Sequence, residues 1–159
     1  MNATRRLMTE LKEIKKDPNY LYSINPDSDN FLRWDFSIIG PQDTFYENGI
    51  FNGYIEFTKE YPNRAPRVRF HNIIHPNIFK EGLVCISILH EGTDYTGYEK
   101  DIERWLPSHG VNTIMLSVIS LLSAPNFESP ANMDASILWK DKPDEYKKKI
   151  YKLVSESHN

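Results

Sequence analysis

Apolar and polar positions follow two different periods along this chain, and the switches between them outline a fold. Leu7, Met8, Leu11 and Ile14 recur at helical spacing and Asp17-Pro18 interrupts them, so residues 4–16 are predicted to form an amphipathic helix. Leu32, Trp34, Phe36 and Ile38 then alternate with Arg33, Asp35 and Ser37, the period of a half-buried strand. Phe51, Gly53, Ile55 and Phe57 oppose Asn52, Tyr54, Glu56 and Thr58 in a second such run, and Gly40-Pro41-Gln42-Asp43 and Asn48-Gly49 mark the turn region between the two. Tyr20-Leu21-Tyr22 and Val68-Arg69-Phe70 are shorter strand candidates on either side, which makes an antiparallel meander of about four strands joined by short loops. The helical period returns at Val111, Ile114, Met115, Val118, Ile119 and Leu122, a nearly all-apolar helix expected to be buried and ended by Ala124-Pro125. Residues 131–139 read as a short helix. Tyr146, Ile150, Leu153 and Val154 mark a last one, with Pro143, Asp144 and Glu145 suited to its first turn. Helix, strands, then helices is an α+β order in which the buried helix covers one sheet face. With no repeat, low-complexity stretch or linker composition, residues 1–159 are expected to form one domain.

Composition narrows the function classes. Apolar residues make up 40% and charged residues 26%, the balance of a globular protein rather than a disordered one. No apolar run approaches the roughly 20 residues that span a bilayer, and the amino-terminal segment to Arg6 lacks the apolar core of a signal peptide. The single cysteine cannot form an internal disulfide, which fits a reducing compartment and makes a cytoplasmic or nuclear protein the expectation. A net charge of −3 argues against a bulk nucleic-acid binder. That charge is unevenly spread. The segment up to Lys16 carries Arg5, Arg6, Lys12, Lys15 and Lys16 against Glu10 and Glu13, whereas Glu91 to Glu103 carries Glu91, Asp94, Glu99, Asp101 and Glu103 against Lys100 alone.

The chemistry gathers around that one cysteine, Cys85. A thiolate is the strongest nucleophile a protein has near neutral pH, but a free cysteine also serves as a small buried hydrophobe, and Val84 and Ile86 could flank one in a core. Its neighbours separate the two readings. Pro76 and Gly82 punctuate the preceding stretch, so Cys85 follows a shaped loop rather than lying within a helix or strand. Asn77 adds a neutral amide that can donate to a developing oxyanion or brace the loop through an Asx-turn.

Phe57-Thr58-Lys59-Glu60-Tyr61-Pro62, His75-Pro76-Asn77, Gly82-Leu83-Val84-Cys85 and Trp105-Leu106-Pro107 together resemble the ubiquitin-conjugating enzyme family over essentially the whole chain. The chain is most similar to the branch with an insertion after the catalytic cysteine, here about residues 91–103 and acidic, whose members serve protein quality control with chain-building ligases. Ala65 departs from the family's usual double proline, leaving Pro66. The resemblance implies a two-step acyl transfer: ubiquitin's C-terminus passes from an activating enzyme to Cys85 as a thioester, and a lysine amine then attacks the thioester carbonyl. It implies no cofactor bound here, since the activating enzyme uses the ATP.

The resemblance also assigns roles. Ser129 matches the gating position that is often aspartate; serine carries no charge there, but accepts a hydrogen bond or caps a turn. Glu128, the insertion acids Glu91, Asp94, Glu99, Asp101 and Glu103, and His90 are candidates for orienting the amine. Arg5 and Arg6, Asn63, and Pro107 with Ser108 match the surfaces that meet the activating enzyme and ligases of RING type, with Asn63 standing where many members carry a bulky apolar anchor. Ser23 matches a region that binds a second ubiquitin in some members. Substrate proteins complete the expected partners, which can also recruit the chain to the cytosolic face of the endoplasmic reticulum.

Two other classes compete. A non-catalytic ubiquitin-binding scaffold of the same fold would lack the cysteine. A cysteine hydrolase would need a Cys–His pair, and the sequence is read as giving Cys85 no adjacent base, His75 serving as a packing element of its motif. Transfer of a different ubiquitin-like modifier stays within the first class. His71 and His75 have no further ligand cluster beside them, so no zinc site is expected.

Overall fold

A computed structural model describes residues 2–159. Helix α1 (Ala3–Lys16) opens where Asn2 Oδ1 accepts the Arg5 amide at 2.8 Å, satisfying one of the N–H groups that a helix start leaves unpaired. Lys15 and Lys16 occupy its last turn, where cations meet the negative end of the helix dipole.

Strands β1 (Tyr22–Pro26), β2 (Arg33–Ile39), β3 (Ile50–Glu56) and β4 (Arg67–Phe70) form one antiparallel sheet in sequence order. Trp34 pairs with Ile55, Phe36 with Gly53 and Ile55 with Val68, so the apolar positions of each strand fall on a common face. The first strand starts later than its apolar residues suggest. Asn19 Oδ1 accepts the Leu21 and Tyr22 amides at 2.9 and 3.2 Å, and this Asx-type turn leaves Tyr20 and Leu21 exposed ahead of the sheet. β1 instead runs on to Pro26, which an edge strand tolerates.

Helix α2 (Val111–Ser123) buries Val111, Ile114, Met115, Val118, Ile119, Leu121 and Leu122 in the same core as Trp34, Phe36, Ile38 and Val68. It is not buried all round. Leu116 is 42% exposed beside Asn112, Thr113 and Ser120, a polar stripe that the count of apolar residues conceals. Helices α3 (Met133–Asp141) and α4 (Pro143–Glu156) follow; Asn132 caps α3 by accepting the Ala135 amide at 3.1 Å, and Pro143 opens α4 with Asp144 and Glu145 in its first turn.

Two buried polar clusters fix the ends of the molecule that matter below. Tyr46 and Tyr146 meet hydroxyl to hydroxyl at 2.7 Å with the Ile74 carbonyl 2.5 and 3.0 Å from them, a hydrogen-bonded triangle that anchors the chain just before His75. At the other end the carboxylate of Glu10 accepts from the Val111 amide (2.7 Å), Tyr61 Oη (2.5 Å) and Arg6 Nε (3.0 Å), joining α1 to the start of α2. Gly110 permits this approach, since a Cβ there would come within 2.4 Å of the carboxylate. Among the described residues no helix is long and apolar enough to cross a membrane.

Candidate active site

The chain leaves β4 and folds into a tight loop that ends at Cys85. Gly82 turns it with φ of 103°, in the left-handed region, and its Cα lies so near Phe70 that a Cβ would stand 2.0 Å from the carbonyl oxygen. Val84 N–H donates to Val68 O and Phe79 N–H to Leu83 O, both at 2.9 Å, while Cys85 N–H donates to Asn77 O at 2.8 Å. The thiol is therefore positioned by backbone bonds that begin in the sheet and end on Asn77.

His75 sets that loop from below. It is buried, its Nε2 lies 2.8 Å from Leu121 O, and its Nδ1 lies 2.9 Å from Asn77 N. A carbonyl accepts and an amide donates, so the ring is neutral with its hydrogen on Nε2. Burial pushes its pKa down from 6.5 to about 4, against the smaller opposing pull of the Leu121 carbonyl. Pro76 O accepts the Ala131 and Asn132 amides at 2.8 and 2.9 Å, and the Asn77 side chain donates through Nδ2 to Asn126 O and accepts through Oδ1 from Asn126 N, both at 2.8 Å. His75, Pro76 and Asn77 thus tie the thiol loop to the segment that carries Ser129.

Cys85 opens into a cleft of about 880 Å³ whose walls include Asn77, His90, Asp94, Glu99, Glu128 and Ser129. A single 3₁₀ turn over Ser87–Leu89 folds the chain back, so that His90 Nε2 lies 3.7 Å from Cys85 Sγ. This corrects the expectation that no base stands beside the thiol; residues five apart in sequence meet because of that turn. His90 Nδ1 in turn lies 2.9 and 3.1 Å from the two carboxylate oxygens of Glu99. Burial, followed by the negative charge of Glu99, pushes the Cys85 thiol up from its ordinary value.

The acidic insertion is an ordered loop, closed where Trp105 N–H donates to His90 O at 2.8 Å. Its knot is Arg104, which pairs with Glu99 through Nη1 and donates from Nε to Gly92 O and from Nη2 to Glu91 O, both at 2.8 Å. The five candidate acids consequently divide. Asp94, Glu99 and Glu103 line the cleft, while the Glu91 carboxylate points to the loop that crosses from β3 to β4 (the crossing loop), accepting from Arg64 Nε at 2.9 Å and Ala65 N at 2.8 Å, and Asp101 sits exposed at the start of a short turn. Asp94 accepts from Thr96 and from the Glu99 amide, which hold its carboxyl down at about 2. Glu103 accepts from the Lys100 amide at 3.0 Å. Tyr98 donates to Glu128 at 2.6 Å, joining the insertion to the Ser129 segment across the mouth of the cleft.

Arg104, Tyr98 and Asn126 are the residues that sequence reasoning did not single out. The arginine directly after an acidic run was the available signal; nothing marked the other two. At the end of the molecule where α1 begins, Arg5, Asn63, Pro107 and Ser108 are exposed. Arg6 turns inward to Glu10 and donates to His109 O at 2.9 Å, and Trp105 Nε1 donates to Pro62 O at 2.8 Å, so α1 and the two loops meet at this end.

Comparison with known proteins agrees with this geometry. The chain is 49% identical over 158 residues to "Ubiquitin-conjugating enzyme E2 7" of Arabidopsis thaliana, covering 98% of this chain and 95% of the relative. It is 47% identical over 154 residues to "Ubiquitin-conjugating enzyme E2 15" of Schizosaccharomyces pombe, covering 95% and 92%. To "Ubiquitin-conjugating enzyme E2 G2" of Homo sapiens it is 42% identical over 158 residues, covering 98% and 96%. A model of that family, described as ubiquitin-conjugating enzyme, matches residues 6–154, so a chain whose lone thiol sits on this braced loop belongs to the ubiquitin-conjugating enzyme family.

Proposed function

We propose that Cys85 accepts the C-terminus of ubiquitin from the activating enzyme as a thioester and passes it to a lysine amine, with a ligase, on substrate proteins or on another ubiquitin. The observation that carries this reading is the placement of the chain's one thiol, half-buried in an acidic cleft on a loop held by Asn77. An ammonium group is drawn toward carboxylates, and Asp94, Glu99, Glu103 and Glu128 supply them around the thiol. Covalent transfer through sulfur splits one difficult acyl transfer into two easier ones. The chemistry calls for no cofactor on this chain, because the activating enzyme uses the ATP.

Within the family, the acidic insertion supports the branch that builds degradation-signal polyubiquitin chains in protein quality control. In this reading residues 1–159 act as one catalytic domain, in the cytoplasm or recruited by partners to the cytosolic face of the endoplasmic reticulum. Arg5, Asn63, Pro107 and Ser108 form the surface for the activating enzyme and a RING-type ligase. Asn77 works chiefly by holding the Ser129 segment beside the thiol, and Ser129 borders the path of the incoming amine.

The test is a gel assay with activating enzyme, ATP and ubiquitin. A reductant-sensitive adduct of one ubiquitin is expected, absent in Cys85→Ala. No adduct would favour a binding scaffold, and turnover of a simple ester without ubiquitin would favour a hydrolase. Replacing the insertion by a short turn should leave the adduct intact and abolish free chain formation; unchanged chains would remove the insertion's role.

A further inference from the structure

Aminolysis of a thioester must take a proton from the attacking nitrogen and deliver one to the departing sulfur. One side chain here stands on both paths. His90 Nε2 is 3.7 Å from Cys85 Sγ, and its Nδ1 faces both oxygens of Glu99. A carboxylate only accepts hydrogen bonds, so the neutral ring carries its hydrogen on Nδ1 and presents the Nε2 lone pair to the thiol side. Glu99 is itself gripped by Arg104, and both side chains keep only 13% exposure, which shields the pair from solvent.

We propose that His90 is the proton shuttle of the transfer step, and that Glu99 and Arg104 are positioning residues acting through it. This rests on the reading of Cys85 as ubiquitin carrier. The acceptor ammonium first gives one proton to solvent, and its nitrogen then attacks the thioester carbonyl carbon. A second proton passes from that nitrogen to His90 Nε2, while Glu99 holds the imidazolium. The C–S bond breaks with its electron pair leaving on sulfur, and the same proton moves from Nε2 to sulfur. The products are an amide and the Cys85 thiol, with one proton released and nothing oxidised or reduced.

Arg104 holds the shuttle in place. By pairing with Glu99 and with the Gly92 and Glu91 carbonyls, it fixes the carboxylate that orients the ring. The other charged or titratable groups facing the cleft are tied elsewhere: Asp94 to Thr96 and the Glu99 amide, Glu103 to the Lys100 amide, Glu128 to Tyr98. The thiol's upward shift adds a reason for the delivery, since a sulfur that prefers its proton leaves more readily with one.

The test loads wild type, His90→Gln, Glu99→Gln and Arg104→Gln with ubiquitin, removes ATP, and follows single-turnover discharge to free lysine from pH 6 to 9. Rates are divided by the concentration of neutral amine. Loading is driven by excess activating enzyme and quantified, so that discharge is compared per loaded enzyme. Wild-type discharge should rise with pH and level off, and His90→Gln should run about a hundredfold slower with no inflection. Glu99→Gln and Arg104→Gln, which loosen the ring's orientation, should slow discharge less than His90→Gln does and move the inflection away from its wild-type position. A wild-type profile in His90→Gln overturns the shuttle. A slow His90→Gln beside an unmoved Arg104→Gln overturns only the role of Arg104, and failure of wild type to load overturns the carrier reading. Should His90→Gln fail to load, His90→Asn takes its place under the same criteria.

Discussion

The side-chain amide of Asn77 pairs with both backbone groups of Asn126, donating to its carbonyl and accepting from its N–H at 2.8 Å each. A side-chain amide matched this way acts as a strut, while the backbone carbonyl of the same residue holds the Cys85 N–H at 2.8 Å. Asn77→Ala should therefore lower stability by about 2 kcal/mol, roughly 1 for each lost bond, and slow discharge of the thioester together with it. Urea denaturation beside single-turnover discharge checks this. A rate loss of a hundredfold or more at unchanged stability would instead assign Asn77 to the oxyanion.

His75 makes the fold depend on pH in a defined direction. Its native pKa of about 4 lies below the 6.5 of the unfolded chain, so unfolding takes up a proton between these values. The stabilisation is complete above pH 6.5 and falls as pH drops toward 4, with about 2 kcal/mol lost by pH 5 and about 3 in all. Other groups titrate in this range, so the measurement is the difference in unfolding free energy between wild type and His75→Gln at pH 7 and pH 5. That difference should shrink by about 2 kcal/mol; a constant difference would contradict the buried neutral ring.

How much of this was legible in the sequence varied with the kind of interaction. Periodicity located the sheet and α2, because burial of alternating or stripe positions is written in apolar residues such as Trp34 and Phe36 on β2 or Val118 and Ile119 on α2. It misplaced β1, because one Asn19 side chain capping two amides outweighs the strand preference of Tyr20 and Leu21. The motif around Cys85 was legible as a set of residue types. Its polar wiring was not, since the meeting of His90 with Cys85 depends on a single turn and the grip of Arg104 on two carbonyls. Arg6 illustrates the same limit, reading as a surface cation while its guanidinium is committed to Glu10 and His109.

Glu10 should behave as a structural carboxylate. It is buried and satisfies three donors, from Arg6, Tyr61 and Val111, and pairing with its charge is one cause holding the Tyr61 hydroxyl's pKa well above normal, after burial itself. Glu10→Ala leaves a partly buried guanidinium without its carboxylate and the Val111 amide at a helix N-terminus without its acceptor, and should cost about 3 kcal/mol. For a domain of this size that corresponds to a fall in Tm of roughly 6–12 °C. Thermal unfolding followed by circular dichroism measures it, and a shift within about 2 °C, on the order of a surface change, would show that the cluster contributes little.

Ala65 and Glu91 make one device out of two residues that look unrelated in the sequence. Proline has no N–H, so a proline at position 65 could not donate. Here the Ala65 amide donates to Glu91 Oε1 at 2.8 Å while Arg64 Nε donates to Oε2 at 2.9 Å, which fastens the start of the acidic insertion to the crossing loop. The ion pair to Arg64 is exposed and contributes little by itself. The Ala65 bond, made by a charged acceptor, is the stronger part and should be worth about 1 kcal/mol. Ala65→Pro, Glu91→Ala and the double variant form a cycle in which any strain from the proline ring cancels. The two single losses should fail to add by about 1 kcal/mol, a few degrees in Tm, because each change removes the same bond. Strict additivity would mean that the Glu91 carboxylate gains nothing from the Ala65 amide.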